Sequence, residues 1–240
     1  MRAALDFLCS KLGRTPVHIG DGHPVVVYPG LGAGAITTAH LRHFLRDCGF
    51  EPHDWGGGIN TGPGGDIDDW LAVFVDRVRE LHALHGRKAS LVGWSLGGVY
   101  AREIAKRCPE SVRQVITLGT PFGAMSSANH ARTIYRMLGG DTSRLTPQLE
   151  ARLRECPPVP TTSIFSKADG VVCWRGCIEK PSASVENVEV HASHLGMAVH
   201  PDVLRIVADR LAQPEGQWRP FRRTRRNARS VRGPLHQATG

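Results

Sequence analysis

Eight residues constrain this chain more than any others. Leu91-Val92-Gly93-Trp94-Ser95-Leu96-Gly97-Gly98 sets a serine between two glycines, in a Gly-x-Ser-x-Gly pattern. It lies where an apolar, strand-like run, Ala89–Trp94, gives way to a helical stretch from about Gly97 to Arg107. Small residues at Gly93 and Gly97 let a strand and the helix after it approach closely around a sharp turn, which holds Ser95 out of the sheet. The helix aims its first amide groups and the positive end of its dipole at the serine, and Leu96 N–H is placed to donate to an oxyanion. The pattern alone is common; its position between strand and helix carries the inference.

The surrounding sequence alternates strand and helix, the mark of a doubly wound, mostly parallel α/β sheet covered on both faces. His23–Tyr28 is a β-rich run that stops at Pro29-Gly30-Leu31-Gly32-Ala33-Gly34, and a helical segment, Thr38–Cys48, follows. Asp66–Leu84 carries Ile67, Trp70, Leu71, Phe74, Val75, Val78, Leu81 and Leu84 at helical spacing, with Asp66 or its neighbour placed to cap the start. A further strand, Val112–Leu118, ends at Gly119-Thr120-Pro121. Between Phe122 and Pro160 the pattern shifts to short helical pieces, His130–Leu138 and Pro147–Arg154, and a proline cluster. This stretch is expected to be a small helical lid inserted after a strand's carboxyl end, over the ligand crevice. There Met125, Ile134, Tyr135, Met137 and Leu138 either line an acyl pocket or pack the insertion onto the core.

Composition bounds the partners. The 240 residues, 41% of them hydrophobic, suffice for one core, so residues 1–213 are expected to form one domain with the insertion at about 122–160. From Pro214 to Gly240 there are seven arginines against one glutamate, which leaves only +2 of the net charge of +8 for the rest of the chain. Residues 214–240 thus read as a basic, disordered tail, open to an anionic surface but giving no ground for a specific nucleic-acid partner. No apolar run approaches the roughly 18 residues of a membrane-spanning helix. No secretory signal is recognisable at the N-terminus, so a cytoplasmic location is expected. The cysteines Cys9, Cys48, Cys108, Cys156, Cys173 and Cys177 are scattered and expected to be reduced, and Cys173-x-x-x-Cys177 lacks the spacing of a structural zinc site.

A serine hydroxyl is a weak nucleophile unless a base takes its proton and a third group orients that base. Two later loops offer such groups. Thr161–Ser166 reads as a strand delivering Lys167-Ala168-Asp169-Gly170. Val185–Val190 reads as a strand delivering His191-Ala192-Ser193-His194-Leu195-Gly196-Met197, before a helix over His200–Leu211. Asp169 outranks Asp141 and Glu179 because it follows the strand that precedes the histidine strand.

With Ser95, Asp169 and His194 in that chain order, at intervals of 74 and 25 residues, the sequence resembles the bacterial α/β-hydrolases of the lipase/esterase superfamily from about His23 to Leu211. The resemblance implies the α/β-hydrolase fold with Ser95 as nucleophile, His194 as general base and then acid, and Asp169 as its orienting partner. The implied reaction is hydrolysis of carboxylic esters, small or lipid, through an acyl-enzyme. His194 is preferred to His191 because His194-Leu195-Gly196-Met197 matches the family's loop.

The second oxyanion donor is expected in the loop after the first strand, and Leu31 is chosen there since Pro29 has no N–H to give. Tyr28-Pro29-Gly30-Leu31 departs from the family's common His-Gly pattern and argues against its His-Gly-Gly-Gly class. Gly56–Gly65 is read as a flexible surface loop rather than a phosphate loop, because no Gly-Lys-Ser/Thr follows. No metal or organic cofactor is expected. Acyl transfer to another acceptor uses the same three residues, and a non-catalytic binding protein on this scaffold is the remaining alternative.

Overall fold

The computed structural model describes residues 19–123 and 147–222. The expected helix His130–Leu138, the apolar residues Met125, Ile134, Tyr135, Met137 and Leu138, the rival acid Asp141 and the arginines beyond Arg222 lie outside them. The lid expectation is therefore neither supported nor opposed.

Six strands form one sheet. They are β1 (Pro24–Tyr28), β2 (Glu51–Asp54), β3 (Ala89–Trp94), β4 (Val112–Leu118), β5 (Thr161–Ser166) and β6 (Val185–Val190), in the order β2-β1-β3-β4-β5-β6. Every neighbouring pair is parallel. The helices are α1 (Ala35–Asp47), α2 (Ile67–His85), α3 (Leu96–Arg107), α4 (Pro147–Arg154) and α5 (Pro201–Leu211).

The two-residue period of β1 shows how the layers form. Val25 and Val27 point into a cluster with Leu41 and Leu45 of α1 and Val203, Val207 and Leu211 of α5. Val26 and Tyr28 point into the opposite cluster, with Leu71 and Val78 of α2 and Val99 and Ile104 of α3. A strand buried on both faces reads as an unbroken apolar run, which is why Val25-Val26-Val27 shows no alternation.

Helix ends follow local chemistry. Asp66 caps α2, its carboxylate accepting from Asp68 N–H at 2.8 Å and Asp69 N–H at 3.3 Å, an arrangement worth about 1 kcal/mol. Gly86 closes that helix at φ 62°, where a side chain would be strained. Pro201 opens α5 in the first helical position, with His200 as its cap.

One strand differs from the sequence reading. The edge strand β2, Glu51-Pro52-His53-Asp54, carries no strand signal, because proline and aspartate are poor strand formers; pairing with β1 overrides them at the sheet's edge. Of the segment read as a basic tail, residues 214–222 lie within the described structure. Phe221 packs against the α5-side core, its N–H donates to Glu186 Oε2 at 2.6 Å, and the Arg210 guanidinium lies 5.3 Å from its ring centre. One aromatic ring and one buried ion pair, Arg210 with Glu186 at 3.0 Å, anchor a segment whose composition alone reads as solvated.

Chain order reverses beside β1, which has β2 on one side and β3 on the other. In an open parallel sheet such a reversal leaves a crevice at the strands' carboxyl ends. The loop after β1 and the turn after β3 both open into it.

Candidate active site

Ser95 sits between the end of β3 and the first residue of α3 at φ 54°, ψ −122°, and among the described residues it is the one non-glycine with positive φ. Such backbone strain persists only where the surroundings fix it. Here Ser95 N–H donates to Leu118 O at 2.8 Å, and Ser95 O accepts from Gly98 N–H at 3.0 Å. The flanking glycines are required by contact. A Cβ on Gly93 would stand 2.5 Å from Gly97 O, and one on Gly97 would stand 2.6 Å from Pro29 O, closer than real Cβ atoms come.

Three loops bring three side chains into one hydrogen-bonded row. His194 Nε2 lies 3.0 Å from Ser95 Oγ, and His194 Nδ1 lies 2.7 Å from Asp169 Oδ2. A carboxylate only accepts, so Nδ1 carries the proton and Nε2 presents its lone pair to the serine hydroxyl. All three residues are buried, with 7%, 6% and 5% of Ser95, Asp169 and His194 exposed. The other carboxylate oxygen, Asp169 Oδ1, accepts from Val171 N–H at 2.9 Å and Val172 N–H at 2.6 Å, which fixes Oδ2 toward the imidazole.

The rivals are engaged elsewhere. Glu179 is buried and ion-paired with Arg102 of α3. Arg102 also donates to Glu155 O at 2.9 Å, so this pair ties the C-terminal end of α4 to α3. His191 follows β6 directly and is half-buried, while the ring that reaches Ser95 belongs to His194.

Residues with no local signal hold the loops. Ser166 Oγ accepts from Ala168 N–H at 3.1 Å and from Ala192 N–H at 3.2 Å, joining the loop of Asp169 to the loop of His194. Trp94 Nε1 donates to His194 O at 3.1 Å. Gly119, at φ 56°, leaves room for Asp169 and His194: a Cβ there would be 3.1 Å from Asp169 Oδ2 and 3.4 Å from His194 Nδ1.

The loop after β1 lies against the serine, where a Cβ on Gly30 would be 3.3 Å from Ser95 Cβ. Gly32 N–H is taken by Asn60 O at 2.8 Å and Ala33 N–H by Gly30 O at 3.1 Å. Neither of these turn bonds uses the amide of Gly30 or Leu31. On the other side, Leu96 opens α3 and has no carbonyl one turn earlier in the helix to receive its N–H.

Asn60 is the residue the sequence hid. It lies in the stretch read as a flexible surface loop, yet it is fully buried. Its Nδ2 donates to Pro29 O at 2.8 Å, its N–H to Ala33 O at 2.8 Å, and its Oδ1 accepts from Gly62 N–H at 3.1 Å and Tyr100 Oη at 3.2 Å. One amide thus braces both ends of the loop that carries Leu31.

Compared with solved structures, the chain aligns with a lipase B of Aspergillus fumigatus at TM-score 0.61 and 17% identity, over 83% of this chain and 55% of that one. A mature lipase of Bacillus licheniformis aligns at 0.60 and 18% identity, over 83% of this chain and 94% of that one. The chain has the α/β-hydrolase fold. Among curated proteins it is 30% identical over 103 residues to a pimeloyl-(acyl-carrier protein) methyl ester esterase of Shewanella woodyi, covering 42% of this chain and 38% of that protein. It is 33% identical over 114 residues to a 2-hydroxymuconate semialdehyde hydrolase of a Pseudomonas species, covering 45% and 40%. The chain thus spans about two fifths of the length of these curated relatives. No family model matches it. Within the hydrolase fold, the crevice beside β1 is where Ser95, His194 and the loop of Gly30 meet.

Proposed function

We propose that this chain is a serine-dependent carboxylic ester hydrolase working through an acyl-enzyme. The observation that carries the reading is the buried row Ser95 Oγ, His194 Nε2 and Nδ1, Asp169 Oδ2, with contacts of 3.0 and 2.7 Å, at the start of a helix. The esterase and hydrolase names of the partial relatives support the same class of bond.

The chemistry follows from the geometry. His194 Nε2 takes the hydroxyl proton as Ser95 Oγ attacks the ester carbonyl carbon. The imidazolium that forms is held and stabilised by Asp169, which keeps its own negative charge. The carbonyl oxygen becomes an oxyanion, received by the N–H groups of Leu96 and Leu31 and favoured by the positive end of α3. Collapse breaks the ester C–O bond, and His194 returns the proton to the departing alcohol. Water, losing a proton to His194, then attacks the acyl group on Ser95; His194 reprotonates Ser95 and the carboxylic acid leaves.

The substrate is a small or lipid ester, and residues 122–160 are proposed as the element over the crevice that selects it. An apolar substrate is supported by Leu31, Ile36, Ile59, Val171 and Leu195, which stand exposed on segments that follow the carboxyl ends of β1, β2, β5 and β6. The test is hydrolysis of p-nitrophenyl esters from acetate to palmitate by the wild type and by Ser95→Ala. Turnover abolished by the substitution supports the reading, and the preferred chain length defines the substrate. Equal turnover by both proteins rejects it.

A further inference from the structure

The sequence singles out no metal-ligand set, yet the fold assembles one at the end of the sheet opposite Ser95. Glu51 and His53 are two residues apart on β2 and share a face. His53 is in register with Val26, whose side chain belongs to the core under α2 and α3. At this edge the same face is covered by the last turn of α2, which ends at His85. Glu51 Oε2 lies 3.3 Å from His85 Nδ1, and Glu51 Oε1 lies 3.7 Å from His53 Nε2. The two imidazoles meet edge to face with centroids 5.7 Å apart, and one ligand atom from each of the three residues falls within 4.8 Å of the others.

We infer that Glu51, His53 and His85 form a binding site for a divalent first-row transition ion such as Zn2+, which pins the edge strand β2 to the last turn of α2. Ligands at 2.0–2.1 Å from a tetrahedral ion are about 3.3 Å from one another. The two carboxylate-to-imidazole separations already approach that value. The third, between the rings, is within 4.8 Å. His53 Nε2 is shielded from solvent and has no hydrogen-bond partner, and Glu51 Oε1 lies 3.7 Å from it. Arg77 and Arg46 lie close enough to His53 to act on its charge.

Those arginines also oppose a cation, and Arg77 is drawn off toward Asp54 O, to which it donates at 3.3 Å. Affinity therefore rests on the two imidazole nitrogens and one carboxylate, a donor set that favours Zn2+, Ni2+ or Cu2+ over the oxygen-seeking Ca2+ and Mg2+. Glu51 is 51% exposed at its side chain, which leaves a path for the ion and room for water as a fourth ligand.

The test is calorimetric titration of the untagged, chelator-treated full chain with Zn2+, with Co2+ absorption as a report on nitrogen-rich four-coordinate geometry. The wild type is expected to bind one equivalent that is missing in His53→Ala and in His85→Ala, and its thermal midpoint to rise with Zn2+ but not with Ca2+ or Mg2+. Glu51→Gln, a change at a half-exposed side chain that leaves the fold intact, is expected to weaken binding at least tenfold. A wild type that binds no Zn2+, or binding equally strong in all three variants, overturns the inference. The latter result would place the ion on other histidines and leave Glu51 as a hydrogen-bond acceptor for His85.

Discussion

Trp94 Nε1 donates to the carbonyl oxygen of His194 at 3.1 Å, so the residue before Ser95 holds the loop that carries His194. The indole ring lies 6.0 Å from the imidazole, centre to centre, and fills the space behind it. Trp94→Phe keeps most of the packing but leaves a buried carbonyl without its donor, a loss of about 1–3 kcal/mol. The account predicts a lowered urea midpoint and a fall in kcat larger than any rise in KM, since positioning of the base matters most in the transition state. Steady-state kinetics on a p-nitrophenyl ester, with urea unfolding in parallel, checks both.

Asn60 holds the Leu31 loop through Pro29 O and Ala33 O. Replacing it with leucine strands several buried partners, and the expected destabilisation is on the order of 2–3 kcal/mol. Asn60→Asp removes the bond to Pro29 O while keeping the acceptor for Tyr100 and Gly62, so its fold should survive better while kcat drops. Equal kcat in Asn60→Asp and wild type would show that this brace does not set the oxyanion geometry.

Gly119→Ala places a methyl group 3.1 Å from Asp169 Oδ2 at a φ that disfavours any side chain. The expected result is a folded protein, by circular dichroism, with kcat reduced on the order of 10-fold to 100-fold. Undiminished kcat would mean that the acid and base yield freely to the added methyl.

His23 gives the chain a pH-dependent stability. It is fully buried, its Nε2 2.8 Å from Ser90 Oγ and its Nδ1 2.5 Å from Asp21 Oδ1. Burial, with Arg113 and Arg87 acting the same way, outweighs Asp21 and holds His23 below the ordinary 6.5. The folded protein then keeps His23 neutral at a pH where the unfolded chain protonates it. This contribution is present above about pH 6.5 and is lost as pH falls through the lower folded value. Burial alone would raise Asp21, but hydrogen bonds from Arg113 and His23 win and hold it well below 3.8, so its share is lost only at more acid pH. Urea midpoints measured between pH 8 and pH 5 should decline in the wild type and decline less in His23→Gln. His53, shifted the same way, keeps some slope in the variant.

Asp21, His23 and Ser90 also show what sequence can and cannot say about the site. They form a second row of the same three residue types with the same atoms in contact. Yet Ser90 is fully buried inside β3, with no turn to expose its hydroxyl and no helix start beside it. The Ser95 row was legible because each member lies in a short stretch with its own signal: glycines around the serine, and an acid and a histidine on loops just beyond strands. Asn60, Ser166 and Trp94 carry no such signal, since their roles arise only when distant loops pack. The strands β1, β3 and β4 were legible as apolar runs, whereas Glu51–Asp54 became a strand only because β1 offers it a partner. The same strand brought Glu51 and His53 to His85, at a spacing no local pattern announces.

The most direct measurement is active-site labelling with a fluorophosphonate, followed by peptide mass spectrometry of the labelled chain. The account predicts one adduct, on the Ser95 hydroxyl, that is absent in Ser95→Ala and slowed on the order of 10^4-fold in Asp169→Asn. A folded wild type that takes no label, or takes it on a serine other than Ser95, would contradict the assignment of Ser95 as the nucleophile.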